Sequence, residues 1–121
     1  MADTLKSELF RGDTRLEKTL VSDPHHVVTG NRGDYVSKIQ FAVLTLGGGR
    51  IGSGELQVKL YGPETAKAVL QYKTQRRIVN LAYQRTADNI VGKMTIRALD
   101  DEMVLFEAKQ RLKPNTQSVR S

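Results

Sequence analysis

One nine-residue phrase occurs twice in this chain, thirty positions apart: Tyr61-Gly62-Pro63-Glu64-Thr65-Ala66-Lys67-Ala68-Val69 and Val91-Gly92-Lys93-Met94-Thr95-Ile96-Arg97-Ala98-Leu99. Both read apolar-G-x-x-T-x-x-A-apolar, and both have the parts of a helix start. A glycine at the N-cap lets the chain turn, and Pro63 suits a first helical position because its missing N–H had no partner there. Thr65 and Thr95 fall in the first turn, where a hydroxyl can reach back to an unpaired backbone group. The alanines and the aliphatics after them come at helical spacing and mark a buried face. A duplicated turn-into-helix unit makes the chain mainly α.

The rest of the helical pattern follows from these two anchors. Val36, Ile39, Val43 and Leu46 form an i, i+3, i+4, i+7 stripe, predicting a helix from about Asp34 to Leu46 with Asp34 as its cap. Gln40 lies on its apolar side, where its expected role is to satisfy backbone groups of a neighbouring loop. Gly47-Gly48-Gly49 ends the helix; no G-K-[ST] follows, so it reads as a connection and not a phosphate loop. Residues 50–60 read as a linking segment with a brief strand at Leu56-Gln57-Val58. The second helix is expected from Gly62 to about Arg77, with Thr65, Ala68, Val69 and Tyr72 inward and Lys67, Lys73, Arg76 and Arg77 outward or at its end. The third begins at Gly92, has Thr95, Ala98, Leu99, Met103 and Phe106 on its inner face, and runs as far as Gln110 or Leu112, before Pro114.

Three regions are expected: a lead-in over 1–32 packed on the bundle, a helical domain over 33–112, and a mobile tail over 113–121. The lead-in shows no sustained helical stripe, and one or two short strands are expected around 18–28. Arg11-Gly12-Asp13 and Arg32-Gly33-Asp34 repeat a triplet whose second copy reads as a turn followed by a helix cap. His25 and His26 are adjacent, and no partner set stands ready to make a metal site with them. Leu9, Phe10, Leu105, Phe106 and Leu112 are expected to be buried, either against each other or against a partner.

The chain has 121 residues, a single-domain length, and carries a net charge of +6. That charge favours acidic partners. There is no cysteine, which excludes thiolate chemistry and a disulfide framework. No run of about 18 apolar residues is present, and the first residues lack the apolar centre of a secretory signal. The expected localisation is therefore synthesis in the cytoplasm, with any delivery to the wall or exterior by a non-classical route or particle.

Gly33-x-x-Val36-x-x-Ile39-Gln40-x-x-x-Leu44, then Tyr61-Gly62-Pro63-x-Thr65-x-x-Ala68-Val69-x-x-Tyr72, then Asp88-x-Ile90-Val91-Gly92-x-x-Thr95-x-x-x-Leu99, resembles the three-helix peptidoglycan-binding domain. That family's pattern is G-x-x-V-x-x-L-Q-x-x-L, then F-G-P-x-T-x-x-A-V-x-x-F-Q, then D-G-I-V-G-P-x-T-x-x-x-L. The likeness spans residues 33–103. Val58-Lys59 stands where an Asp-Gly precedes the first copy, Asn89 stands for the second glycine, Lys93 for the helix-starting proline and Lys73 for a glutamine. The fold class implied is a three-helix peptidoglycan-binding-like bundle with an irregular or short-stranded lead-in and an extended third helix.

The resemblance implies a non-catalytic module that binds peptidoglycan or another anionic cell-wall polymer, with no cofactor. The site expected for it is the rim at the end of the second helix and the connection after it: Arg76, Arg77, Tyr83, Gln84 and Asn89. Arginine pairs bidentately with a stem-peptide carboxylate, and tyrosine covers a sugar face. The competing reading is a structural or adaptor protein that docks components of a phage-like, type VI-like or extracellular contractile injection particle. Its protein partner would meet the lead-in and the extended third helix. Catalysis is not expected, because hydrolysis needs a base and an orienting partner that converge, and the carboxylates here fall on helix surfaces. Neither a nucleic-acid nor a membrane partner is expected; the basic residues are spread, with few aromatics between them.

Overall fold

The computed structural model describes residues 4–79 and 86–112. Among them are five α-helices, α1 (Thr14–Val21), α2 (Asp34–Gly47), α3 (Ser53–Val58), α4 (Pro63–Arg76) and α5 (Lys93–Leu112), with a 3-10 turn at Asp23–His25. The molecule is mainly helical, and the described residues include two isolated antiparallel bridges, Val27 with Val91 and Arg32 with Leu60. α2 packs on α4 and on α5, and α1 packs on α5.

The two copies of the phrase build the same entry. Tyr61 and Val91 are both buried, the Gly62 and Gly92 carbonyls accept the first helical bonds from Ala66 N and Ile96 N at 2.9 Å each, and Thr65 and Thr95 are buried in the first turns. A strip of chain from Val27 to Gly33 pairs with both copies. Val27 exchanges two backbone hydrogen bonds with Val91 (2.9 and 3.0 Å), while Gly30 N donates to Tyr61 O and Tyr61 N to Asn31 O (2.8 Å each). The Tyr61 hydroxyl then donates to the Asn89 carbonyl, so the first copy also holds the approach to the second.

The core is formed by Val36, Ile39 and Val43 of α2, Val69 and Tyr72 of α4, and Ile96, Leu99 and Met103 of α5, joined by Leu5, Phe10, Leu16 and Leu20 from the N-terminal region. Residues 4–12 lie as an arm held by carboxylates. Asp100 accepts from Lys6 N (2.9 Å) and Ser7 N (2.8 Å), and Glu107 accepts from Glu8 N (2.8 Å) and Leu9 N (3.0 Å). Asp100 and Glu107 are seven residues apart, so they stand on one side of α5 and meet successive turns of the arm.

Several local expectations change. The segment around 18–28 is not strand: residues 14–21 are helical, capped by Asp13, whose side chain accepts from Leu16 N. Two turns with buried Leu16, Thr19 and Leu20 are too short to show a stripe in a sequence window. The capping aspartate therefore belongs to the first Arg-Gly-Asp triplet. In the second, Gly33 (φ 143°) is the N-cap, and Asp34 is the first helical residue with its carboxylate on Lys59. Leu56-Gln57-Val58 is helix, not strand, and closes on Lys59 in the left-handed region (φ 57°, ψ 40°). Lys73 is buried, not outward: its ammonium binds Asp88 (2.5 Å) and the Ile90 carbonyl (2.8 Å). Leu105 and Leu112 are exposed, at 64% and 83%, because α5 turns its other side to the arm and to α2.

Candidate functional site

Of the five residues expected to bind a ligand, Tyr83 and Gln84 lie outside the described residues. Arg76 stands in the last turn of α4 and its guanidinium is engaged within the protein. It forms a bidentate pair with Glu102 (3.0 and 2.6 Å), donates to the Leu46 carbonyl (3.0 Å) and to Gln75 Oε1 (2.7 Å), and lies 4.4 Å from the centre of the Tyr72 ring. It joins the end of α2 to α4 and α5. Arg77 is the C-cap, left-handed at φ 56°, and is exposed. Asn89 is exposed and its carbonyl is taken by Tyr61. The left-handed conformation open to asparagine is not used there; among the described residues Lys59 and Arg77 are the non-glycines with positive φ.

Burial opposes the charge on Glu102, but the hydrogen bonds and charge of Arg76, with the Tyr72 hydroxyl at 2.7 Å, hold its pKa below the usual glutamate range. Burial, then the Glu102 hydrogen bond, push Tyr72 well above an ordinary tyrosine. Neither group is poised for proton transfer near neutral pH.

A different place has the shape of a binding site. The end of α2, the loop 48–52 and the first half of α4 enclose an open groove of about 880 Å³. Leu44, Ile51 and Ala68 give it an apolar floor, and Arg50, Glu64, Lys67 and Gln71 form its rim. The loop runs close to α4: a Cβ on Gly49 would stand 3.2 Å from the Ala68 Cβ, so glycine there keeps the segment against the helix. Glu64 turns its carboxylate onto Gly52 N and ties the loop to the start of α4. Among the described residues neither Arg50 nor Lys67 is in an ion pair, whereas Lys38, Lys59, Lys73, Arg76 and Arg111 each hold a carboxylate.

In the sequence Gly47-Gly48-Gly49 reads as a plain connection, and no motif marks Arg50, Lys67 or Gln71 as a site. The available signal was the glycine run followed by Arg50-Ile51-Gly52, a stretch able to lie flat against a helix and still present one cation.

Glu55 of α3 organises the other side of this region. Its carboxylate accepts from Gly62 N (3.2 Å), Glu64 N (2.9 Å), Thr65 N (2.8 Å) and the Thr65 hydroxyl (2.7 Å). Burial works against its charge, and these bonds outweigh it, leaving its pKa below the usual glutamate value. Gln40 donates to Thr65 Oγ1 (2.9 Å) and to the Leu60 carbonyl (3.0 Å), the loop-satisfying role expected of it.

His25 bonds to Ser22 Oγ through Nδ1 (2.8 Å), and the His26 ring lies against Gly92. Among the described residues no group of three His, Asp or Glu side chains is placed to hold a metal, and no helix is long and apolar enough to cross a membrane. Comparison with family models, with curated proteins and with solved structures finds no match for this chain.

Proposed function

We propose that the chain is a non-catalytic binding module that recognises bacterial cell-wall peptidoglycan. The observation that carries this reading is the common entry built by the two phrases. Each has a buried apolar residue clasped by the 27–33 strip, a glycine whose carbonyl opens the helix, and a buried threonine. These are the positions on which the resemblance to the three-helix peptidoglycan-binding domain rests. Lys59 adds support, since it takes a left-handed conformation at the position where that family's pattern has glycine.

The experiment is co-sedimentation of the purified chain with peptidoglycan sacculi. Retention in the pellet, reduced by added soluble wall fragments, is expected. Full recovery in the supernatant at low salt would remove the wall reading.

A second reading, a structural or adaptor protein that docks components of a phage-like, type VI-like or extracellular contractile injection particle, is favoured by one observation. Leu105 and Leu112 are seven residues apart on α5, exposed, and on the same side of the helix. A Leu105→Ser/Leu112→Ser variant that still sediments with sacculi separates this surface from wall binding.

A further inference from the structure

We propose that the groove between the 48–52 loop and α4 is a binding site for a short peptide carrying free carboxylates, with Arg50 and Lys67 as its anion contacts. The source of that peptide, the cell-wall stem peptide, rests on the function proposed above. The site itself rests on the groove.

Three features select this ligand. The first is charge. Arg50 and Lys67 both line the groove and are exposed, and among the described residues neither is in an ion pair. Glu64, the one carboxylate among the described lining residues, is turned onto Gly52 N. An anion entering the groove therefore meets two exposed cations with their donors available, and arginine accepts a carboxylate in a bidentate fork.

The second is the floor. Leu44, Ile51 and Ala68 line the same groove and offer small apolar side chains a contact, which a simple inorganic anion would leave unused. The third is size. A groove of about 880 Å³ lies within the range of sites for small ligands and matches a few residues of peptide, not a folded partner. A Cβ at Gly48 would have nothing within 4 Å, so the loop backbone is open on its outer side to an extended chain.

The test is a ¹⁵N-¹H NMR titration of the full chain with three probes: muropeptides released from sacculi by muramidase, the same muropeptides with carboxylates amidated, and a Glu-rich tetrapeptide. The amides of Gly48, Gly49 and Gly52 should shift with the first probe and not with the second. Arg50→Glu/Lys67→Glu should weaken binding at least about tenfold. Arg11→Glu/Lys18→Glu makes the same charge change on exposed residues away from the groove, and should weaken it less than about threefold. Unchanged amide dispersion shows that each variant is folded.

Muropeptide binding that leaves the three glycine amides unmoved, or that survives Arg50→Glu/Lys67→Glu, overturns the groove and leaves the wall reading standing. So does equal weakening by the two charge-reversal pairs. If the Glu-rich tetrapeptide shifts the groove and muropeptides do not, the site stands, its source is an acidic protein segment, and the wall reading falls. No shift with any probe overturns the proposal.

Discussion

Arg76 and Arg77 are adjacent and chemically identical, yet the fold uses them differently. Arg76 grips Glu102 and the Leu46 carbonyl and stacks on Tyr72, while Arg77 stands exposed at the helix end. Arg76→Ala should lower unfolding free energy by roughly 1.5–3 kcal/mol, the scale of charge-assisted hydrogen bonds in a partly buried setting. Arg77→Ala should stay within about 0.5 kcal/mol, as surface substitutions do. Urea denaturation of both variants checks this, and equal midpoints would mean that the Arg76 clamp contributes nothing in solution. The sequence places both arginines at a helix end, and the macrodipole accounts for them equally well. What separates them is Glu102, whose approach depends on how α5 crosses α4. Gln40 was readable for the opposite reason: a polar residue on an apolar stripe has few roles other than satisfying nearby backbone.

At the scale of elements, α4 shows how a helix start is shared between distant segments. Glu55, from a helix with no fully buried residue of its own, supplies the acceptor for the N–H of the Gly62 N-cap and for two N–H groups in the first turn of the next helix. A Cβ on Gly62 would lie 2.5 Å from Glu55 Oε2, whereas a Cβ on Gly92 would meet only the His26 ring, at 3.1 Å. Gly62→Ala should therefore displace the cap and cost about 1–2 kcal/mol, the worth of a good N-cap. Gly92→Ala should cost less, because an imidazole edge can yield. Ala68→Leu, in the tight contact with Gly49, should add roughly 1–3 kcal/mol of overpacking, and Ala98→Leu, half-buried, a smaller amount. Melting curves of the four variants in one buffer order these effects. Helices α2, α4 and α5 were legible because each presents a stripe over three turns or more. Helices α1 and α3 were not, since one holds two turns and the other fewer, and α3 is positioned by what Glu55 and Lys59 meet. The groove was equally hidden, because it arises from two segments that are remote until α2 and α4 pack.

Across the molecule seven acidic side chains are turned onto groups of the protein itself. Asp13, Glu17, Glu55, Asp100 and Glu107 accept backbone N–H groups, and Asp88 and Glu102 hold a lysine and an arginine. Acid should act on this arrangement directly. Glu55 and Glu102 have folded pKa values below their ordinary 4.5, so their contribution is complete above that pH and is lost as pH falls through the folded values. Melting temperature should hold from neutral pH down to about pH 5 and fall below it, and Glu55→Gln should start lower and fall less steeply. A Glu55→Gln profile parallel to wild type would exclude the cap as a source of acid sensitivity.

The arm over residues 4–12 also sets a schedule. Its partners Asp100 and Glu107 lie more than ninety positions later in the chain, as the 94-residue separation between Lys6 and Asp100 shows. At a ribosomal pace of about 5–20 residues per second, Leu5 and Phe10 emerge roughly 5–20 seconds before the surface that will cover them exists. During that interval two side chains destined for the core are open to chaperones and to one another on neighbouring nascent chains.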